Sequence, residues 1–177
     1  MANTKEPAGK TGTMEDSEFL EFFVDELRIS TAEKHLATAL PKMKKVATSP
    51  DLAAAFEKHT EETKLHISTL EQVFELLGEK EAAKKCEAMA GLLEEDNGII
   101  EDTEKGTMIR DAGLILAAQN VEHYEIATYG TLRVFAQHMG HTDVMDLLTQ
   151  TLENEKATDV PLNTIAEGFV NESAAAE

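Results

Sequence analysis

Between residues 52 and 77 the chain carries a helical period with the wrong residues in it. At about 100° per residue, Leu52, Phe56, Leu70, Val73 and Leu77 fall on one stripe of the width expected for a core-facing helix. His59, Thr63 and His66 fall inside that stripe, and Glu62 falls at its edge, whereas Glu57, Glu61, Lys64, Glu71 and Glu75 point away. An unpaired charge on a buried face costs several kcal/mol. The rest of the chain must therefore fold so as to bring partners to these groups.

The remaining sequence reads as more helix. Ala, Leu, Glu and Lys are abundant, there are only four prolines, and alternating β-branched runs are missing. Residues 1–13 are small and polar and read as a disordered tail. A first helix is expected from near Met14 to Ala47, with Phe22, Glu26, Ile29, Glu33, Leu36, Leu40 and Met43 on one side and a kink at Pro41. Ser49 as cap and Pro50 at the first helical position restart the chain at once. The second helix then runs to Leu77 and stops at Gly78, so the first two form an antiparallel hairpin.

Residues 79–104 read as a weaker helical crossover with Ala83, Cys86, Met89, Ala90, Leu93 and Ile100 on one side. Asn97-Gly98 is expected to interrupt it, and Glu94, Glu95 and Asp96 to form a solvated acidic face. A helix from Met108 to Met139 follows, with Leu114, Ala118, Val121, Glu125, Thr128, Leu132 and Phe135 on its stripe. The last helix starts at Thr142 as cap and carries Val144, Leu148, Leu152, Glu155, Asp159, Leu162, Ala166 and Phe169, with a kink at Pro161. A frayed tail closes the chain from 171 to 177. The expectation is an all-α domain over residues 14–170: a four-helix bundle of two antiparallel hairpins with a helical crossover.

Charge narrows the partners. With 16 Lys+Arg against 34 Asp+Glu the net charge is −18, which argues against nucleic acid and against anionic membrane surfaces and suits cation binding. No apolar run is long enough to span a bilayer and no secretory leader is evident, so a cytoplasmic location is expected. Cys86, the single cysteine, allows no internal disulfide and reads as a small buried residue.

The two hairpins share a polar pattern. Glu33 lies 16 residues before Ser49 and Glu62 lies 13 after it; Glu125 and Glu155 each lie 15 residues from Gly140. At about 1.5 Å rise per residue these carboxylates reach one level of the bundle. Glu33 and Glu125 are 92 residues apart, while Glu62–Glu155 and His66–Asp159 are each 93 apart. Residues four apart share a helix face, so each half offers one Glu and one Glu-x-x-x-(His/Asp) pair. So many carboxylates in a dry layer require cations or shared protons. The candidate metal ligands are thus Glu33, Glu62, His66, Glu125, Glu155 and Asp159, with Glu122 as the alternative carboxylate to Glu125. His59 and Tyr129 are expected to stand behind the ligands and hold them. The donor set suits two Fe ions, with Mn or Zn as alternatives. It resembles the carboxylate-bridged dinuclear sites of helix bundles, except that those pair Glu and His at a spacing of three residues.

Six segments carry a family resemblance: LPKM at 40–43, FEKHTEET at 56–63, LEQVFELLG at 70–78, KCEAMAGL at 85–92, QNVEHYEIATYGTL at 119–132 and LENEKATDVPL at 152–162. In that order they resemble the YciE/YciF family of ferritin-like bacterial stress proteins, over about residues 15–165. The resemblance implies a ferritin-like bundle, a homodimer, metal binding and an association with stress responses. It leaves open whether the protein turns over peroxide or O₂, binds metal without turnover, or is a metal-free interaction protein with a vestigial site.

Overall fold

The computed structural model describes residues 18–81 and 84–177. The expected helix start at Met14, its caps and Ala83 lie outside the described residues. Seven helices follow one another: α1 (Glu18–Glu26), α2 (Ile29–Val46), α3 (Pro50–Leu77), α4 (Glu87–Asp102), α5 (Met108–Met139), α6 (Thr142–Ile165) and α7 (Asn171–Ala174), with a wide π turn at Ala166–Val170 between the last two. The fold is the expected all-α bundle. α2 packs on α3 and α5 on α6 as antiparallel hairpins, α3 lies against α6, and α4 covers α2 and α5.

Local chemistry sets the element ends. Ser49 Oγ accepts from Leu52 N–H at 3.4 Å and Pro50 takes the first helical position, where a missing N–H costs nothing. Gly78 and Gly140 close α3 and α5 at φ of +69° and +79°, a conformation side chains disfavour. Asp111, fully buried near the start of α5, accepts from the N–H groups of Thr48 (2.8 Å) and Ser49 (2.6 Å). One carboxylate of the second hairpin thereby fixes the turn of the first.

Several expectations are corrected. The first helix breaks at Leu27–Arg28, and Pro41 sits inside α2. Tight bonds from Ser30 and Thr31 N–H to the carbonyls three residues back re-aim the chain there. Consequently Phe23, not Phe22, is buried; Phe22 is half-exposed and stacks with Phe19 on Phe135. α4 runs through Asn97-Gly98 unbroken, because Asn97 turns its amide back onto the Leu93 carbonyl at 2.7 Å. Asp96 is buried at 4% exposure instead of solvated, although Glu94 and Glu95 are exposed as expected. Pro161 lies within α6, as expected, and a further irregular turn follows at Ala166. His141, not Thr142, takes the cap position of α6, and Phe169 is exposed. The chain from 171 is helical through Ala174, and Glu177 caps α5 by accepting from Met108 and Ile109 N–H. Among the described residues no helix is long and apolar enough to cross a membrane.

Candidate metal centre

The polar layer forms where the four long helices face one another. α2 supplies Glu33, α3 supplies His59 and His66, α5 supplies Glu122 and Glu125, and α6 supplies Glu155; the four carboxylates are fully buried, and the two imidazoles are 3% and 4% exposed. His59 Nδ1 lies 3.0 Å from Glu122 and its Nε2 3.8 Å from Glu155. His66 Nδ1 lies 2.9 Å from Glu155 and 3.5 Å from Glu33. Tyr129, fully buried one turn beyond Glu125, donates its hydroxyl to Glu33. On the outer side, His66 Nε2 meets Asn154 Oδ1 at 2.7 Å, which fixes the ring so that Nδ1 faces the carboxylates.

These approaches leave most of the layer unsatisfied. Both oxygens of Glu122, Glu125 and Glu155, one of Glu33, and His59 Nε2 are buried without a hydrogen-bond partner among the described residues. Native interiors hold few such atoms, and each costs about 1–3 kcal/mol. The donor atoms converge in two groups. One from each of His59, Glu122, Glu125 and Glu155 lie within 4.8 Å of one another, and so do those of Glu33, His66 and Glu155. Glu155 belongs to both.

The electrostatics express the same crowding. Burial pushes Glu33, Glu125 and Glu155 above the usual carboxylate range, and Glu125 is pushed furthest because Glu33, Glu155 and Glu122 crowd it with like charge. Glu122 rises to about 8, through burial first and then Asp159 and Glu33. Burial lowers His59. Burial would lower His66 too, but contact with Glu155 and Glu33 overrides it and carries the ring up to about 10. Crowding of this kind is relieved by cations or by shared protons.

Two sequence-derived candidates fall outside the layer. Glu62 stands at the α3–α6 seam, where it pairs with Lys58 and accepts from Asn154 Nδ2 (3.0 Å) and Thr158 Oγ1 (3.4 Å). Asp159 accepts from Gln119 Nε2 at 3.3 Å and lies 3.6 Å from exposed His123. His59 and Glu122 occupy the places these two were assigned. Thr63 and Thr158 fill the inward positions beside them.

The reason is one of register. The buried residues of α3 include Leu52, Phe56, His59, Thr63, His66 and Leu70, and those of α6 include Val144, Leu148, Thr151, Glu155, Thr158 and Leu162, matched in that order. Every pair is 92 residues apart, the offset that also separates Glu33 from Glu125. The internal two-fold thus uses a single offset. It pairs Glu155 with Thr63, and Glu62 with Asn154. Aligning glutamate with glutamate at 93 residues slipped α3 by one position. The α3 stripe by itself holds His59 inward with Glu62 at its edge, and the 92-residue register against α6 decides between them.

Comparison with known proteins agrees with the fold. The family model described as "Domain of unknown function (DUF892)" matches residues 18–175. The protein YciF of Escherichia coli K12 is 47% identical over 145 residues, which is 81% of this chain and 87% of that one. The crystal structure titled as that of the E. coli stress protein YciF superposes with a TM-score of 0.83 at 44% identity, covering 88% of this chain and 98% of the other. YcfI of Rhodopseudomonas palustris superposes at 0.80 with 38% identity, over 86% of this chain and 98% of its own.

Proposed function

This chain belongs to the YciE/YciF family, described by the DUF892 model, and we propose that it is a ferritin-like stress protein holding two metal ions in its bundle core. The observation that carries the reading is the set of orphaned, converging carboxylate oxygens around Glu155. His59, Glu122, Glu125 and Glu155 would hold one ion, and Glu33, His66 and Glu155 the other. Four carboxylates and two imidazoles are the donors that hard and borderline cations such as Fe, Mn and Zn prefer. Iron or manganese held there would supply redox chemistry toward peroxide or O₂.

The protein's own groups have separate duties in this reading. Tyr129 orients Glu33, Asn154 sets the tautomer of His66, and Glu155 is the carboxylate both positions share. The apolar side chains above and below the layer exclude water. Iron storage is not part of the proposal, because nothing in the chain points to a cage enclosing a mineral.

Metal analysis of protein purified from iron-supplemented growth tests the reading. Two metals per chain together with consumption of added peroxide are expected. Two metals without peroxide consumption would make the ions structural, and wild-type protein with metal near zero would sink the proposal.

A further inference from the structure

Asp96 is an acid that the dinuclear reading does not use. It sits on the crossover helix α4, four per cent exposed, and its Oδ1 is buried without a hydrogen-bond partner. Burial lifts its carboxyl to about 6. The side chain borders a cavity of about 10 Å³, room for one water-sized body, whose other polar walls are His59 and Glu122. Leu36, Leu93 and Val121 are among its apolar walls. His59 Nε2 and both oxygens of Glu122 are themselves orphaned. Three groups with unmet polar atoms therefore surround one small space between α4 and the metal layer.

We propose that this cavity is the port by which a divalent cation reaches the core, with Asp96 as a transit ligand that passes it to Glu122 and His59. The inference rests on the metal reading above. Geometry favours this wall over its rival: Asp96, His59 and Glu122 border one and the same cavity. The other approach is the 250 Å³ cleft between α3 and α6. There the Asn154–His66 hydrogen bond closes the floor.

The test is the rate at which metal-free protein takes up Co²⁺, followed by stopped-flow visible absorbance, with final occupancy measured by equilibrium dialysis. Asp96→Asn keeps the shape and removes the charge; Asp96→Leu plugs the cavity. Both are expected to slow uptake tenfold or more while the final occupancy stays at two per chain. Thr69→Leu, which narrows the α3–α6 cleft, is expected to leave the rate unchanged. A packing role for Asp96 would alter the melting temperature without touching the rate. Unchanged uptake in Asp96→Asn, or a slowing confined to Thr69→Leu, overturns the port while leaving the dinuclear reading intact. Wild-type protein that takes up no Co²⁺ removes both.

Discussion

Glu155 and Glu62 are both glutamates on facing helices, yet their surroundings assign them opposite parts. Glu155 is fully buried, meets His66 Nδ1 at 2.9 Å and belongs to both convergent groups, whereas Glu62 is supported by Lys58, Asn154 and Thr158. Glu155→Gln is accordingly expected to lower bound metal from two per chain to one or none by elemental analysis, and Glu62→Gln to leave it at two. The reverse pattern would restore the ligand set read from the sequence. Acid–base behaviour gives an independent check. Glu122 is held protonated in the fold up to about pH 8, while in the unfolded chain it ionises near 4.5. Between about pH 6.5 and 8 the folded state therefore binds more protons, and stability falls as pH rises. His59, lowered by burial, works the other way near pH 6.5, where the unfolded ring is still half protonated, and its contribution fades as pH rises. His66 stays charged until about 10, so its folded state also binds more protons here and steepens the fall. Chelator-treated protein should lose at least about 1 kcal/mol per pH unit across this window in urea titrations. A flat profile would mean that the carboxylates are not buried in the way described.

At the scale of elements, what the sequence made legible was periodicity, and what it hid was anything decided by a neighbour. The Ser49-Pro50 start and the Gly78 and Gly140 stops act within a few residues, so they were readable. The break at Leu27–Arg28 carries no Pro or Gly and was not. Asn97-Gly98 looked like a breaker because the fold of the Asn97 side chain onto Leu93 is invisible in a residue name. The burial of Asp96 depends on α2 and α5, far away in sequence. Glu33 and Glu125 were found because each sits on its own helix stripe. The choice between Glu62 and His59 needed the one-residue register of α3 against α6. The clamp between the hairpins was hidden for the same reason. Asp111 satisfies two backbone N–H groups of the α2–α3 turn, at 2.8 and 2.6 Å. Asp111→Ala should cost about 3 kcal/mol and lower the thermal midpoint accordingly, because it leaves the buried Ser49 donor and the half-buried Thr48 donor without a charged acceptor. A change below about 0.5 kcal/mol would show that the turn holds without it.

Over the whole molecule, the acidic layer is a defect in an otherwise apolar core, and its cost should be measurable. The hairpins pack through Leu36, Leu40, Phe56, Leu132 and Leu148 around the layer. The layer carries, in Glu125, a fully buried carboxyl with neither oxygen partnered. Replacing such a group by a leucine of similar size removes that cost, and buried polar sites often gain stability this way. Glu125→Leu should therefore melt higher than wild type when both are metal-free. Saturating metal should reverse the order. A ligand at a hundred times its dissociation constant adds about 2.7 kcal/mol to the state that binds it, which for a domain of this size is a rise of roughly 5–10 °C. Wild type should show that rise on adding Mn²⁺ or Co²⁺ and Glu125→Leu should not, which calorimetry with and without metal reads directly. If the variant melts lower than wild type in chelator, the layer is a packed structural network already satisfied by shared protons. The core would then have no need of the cations its geometry invites.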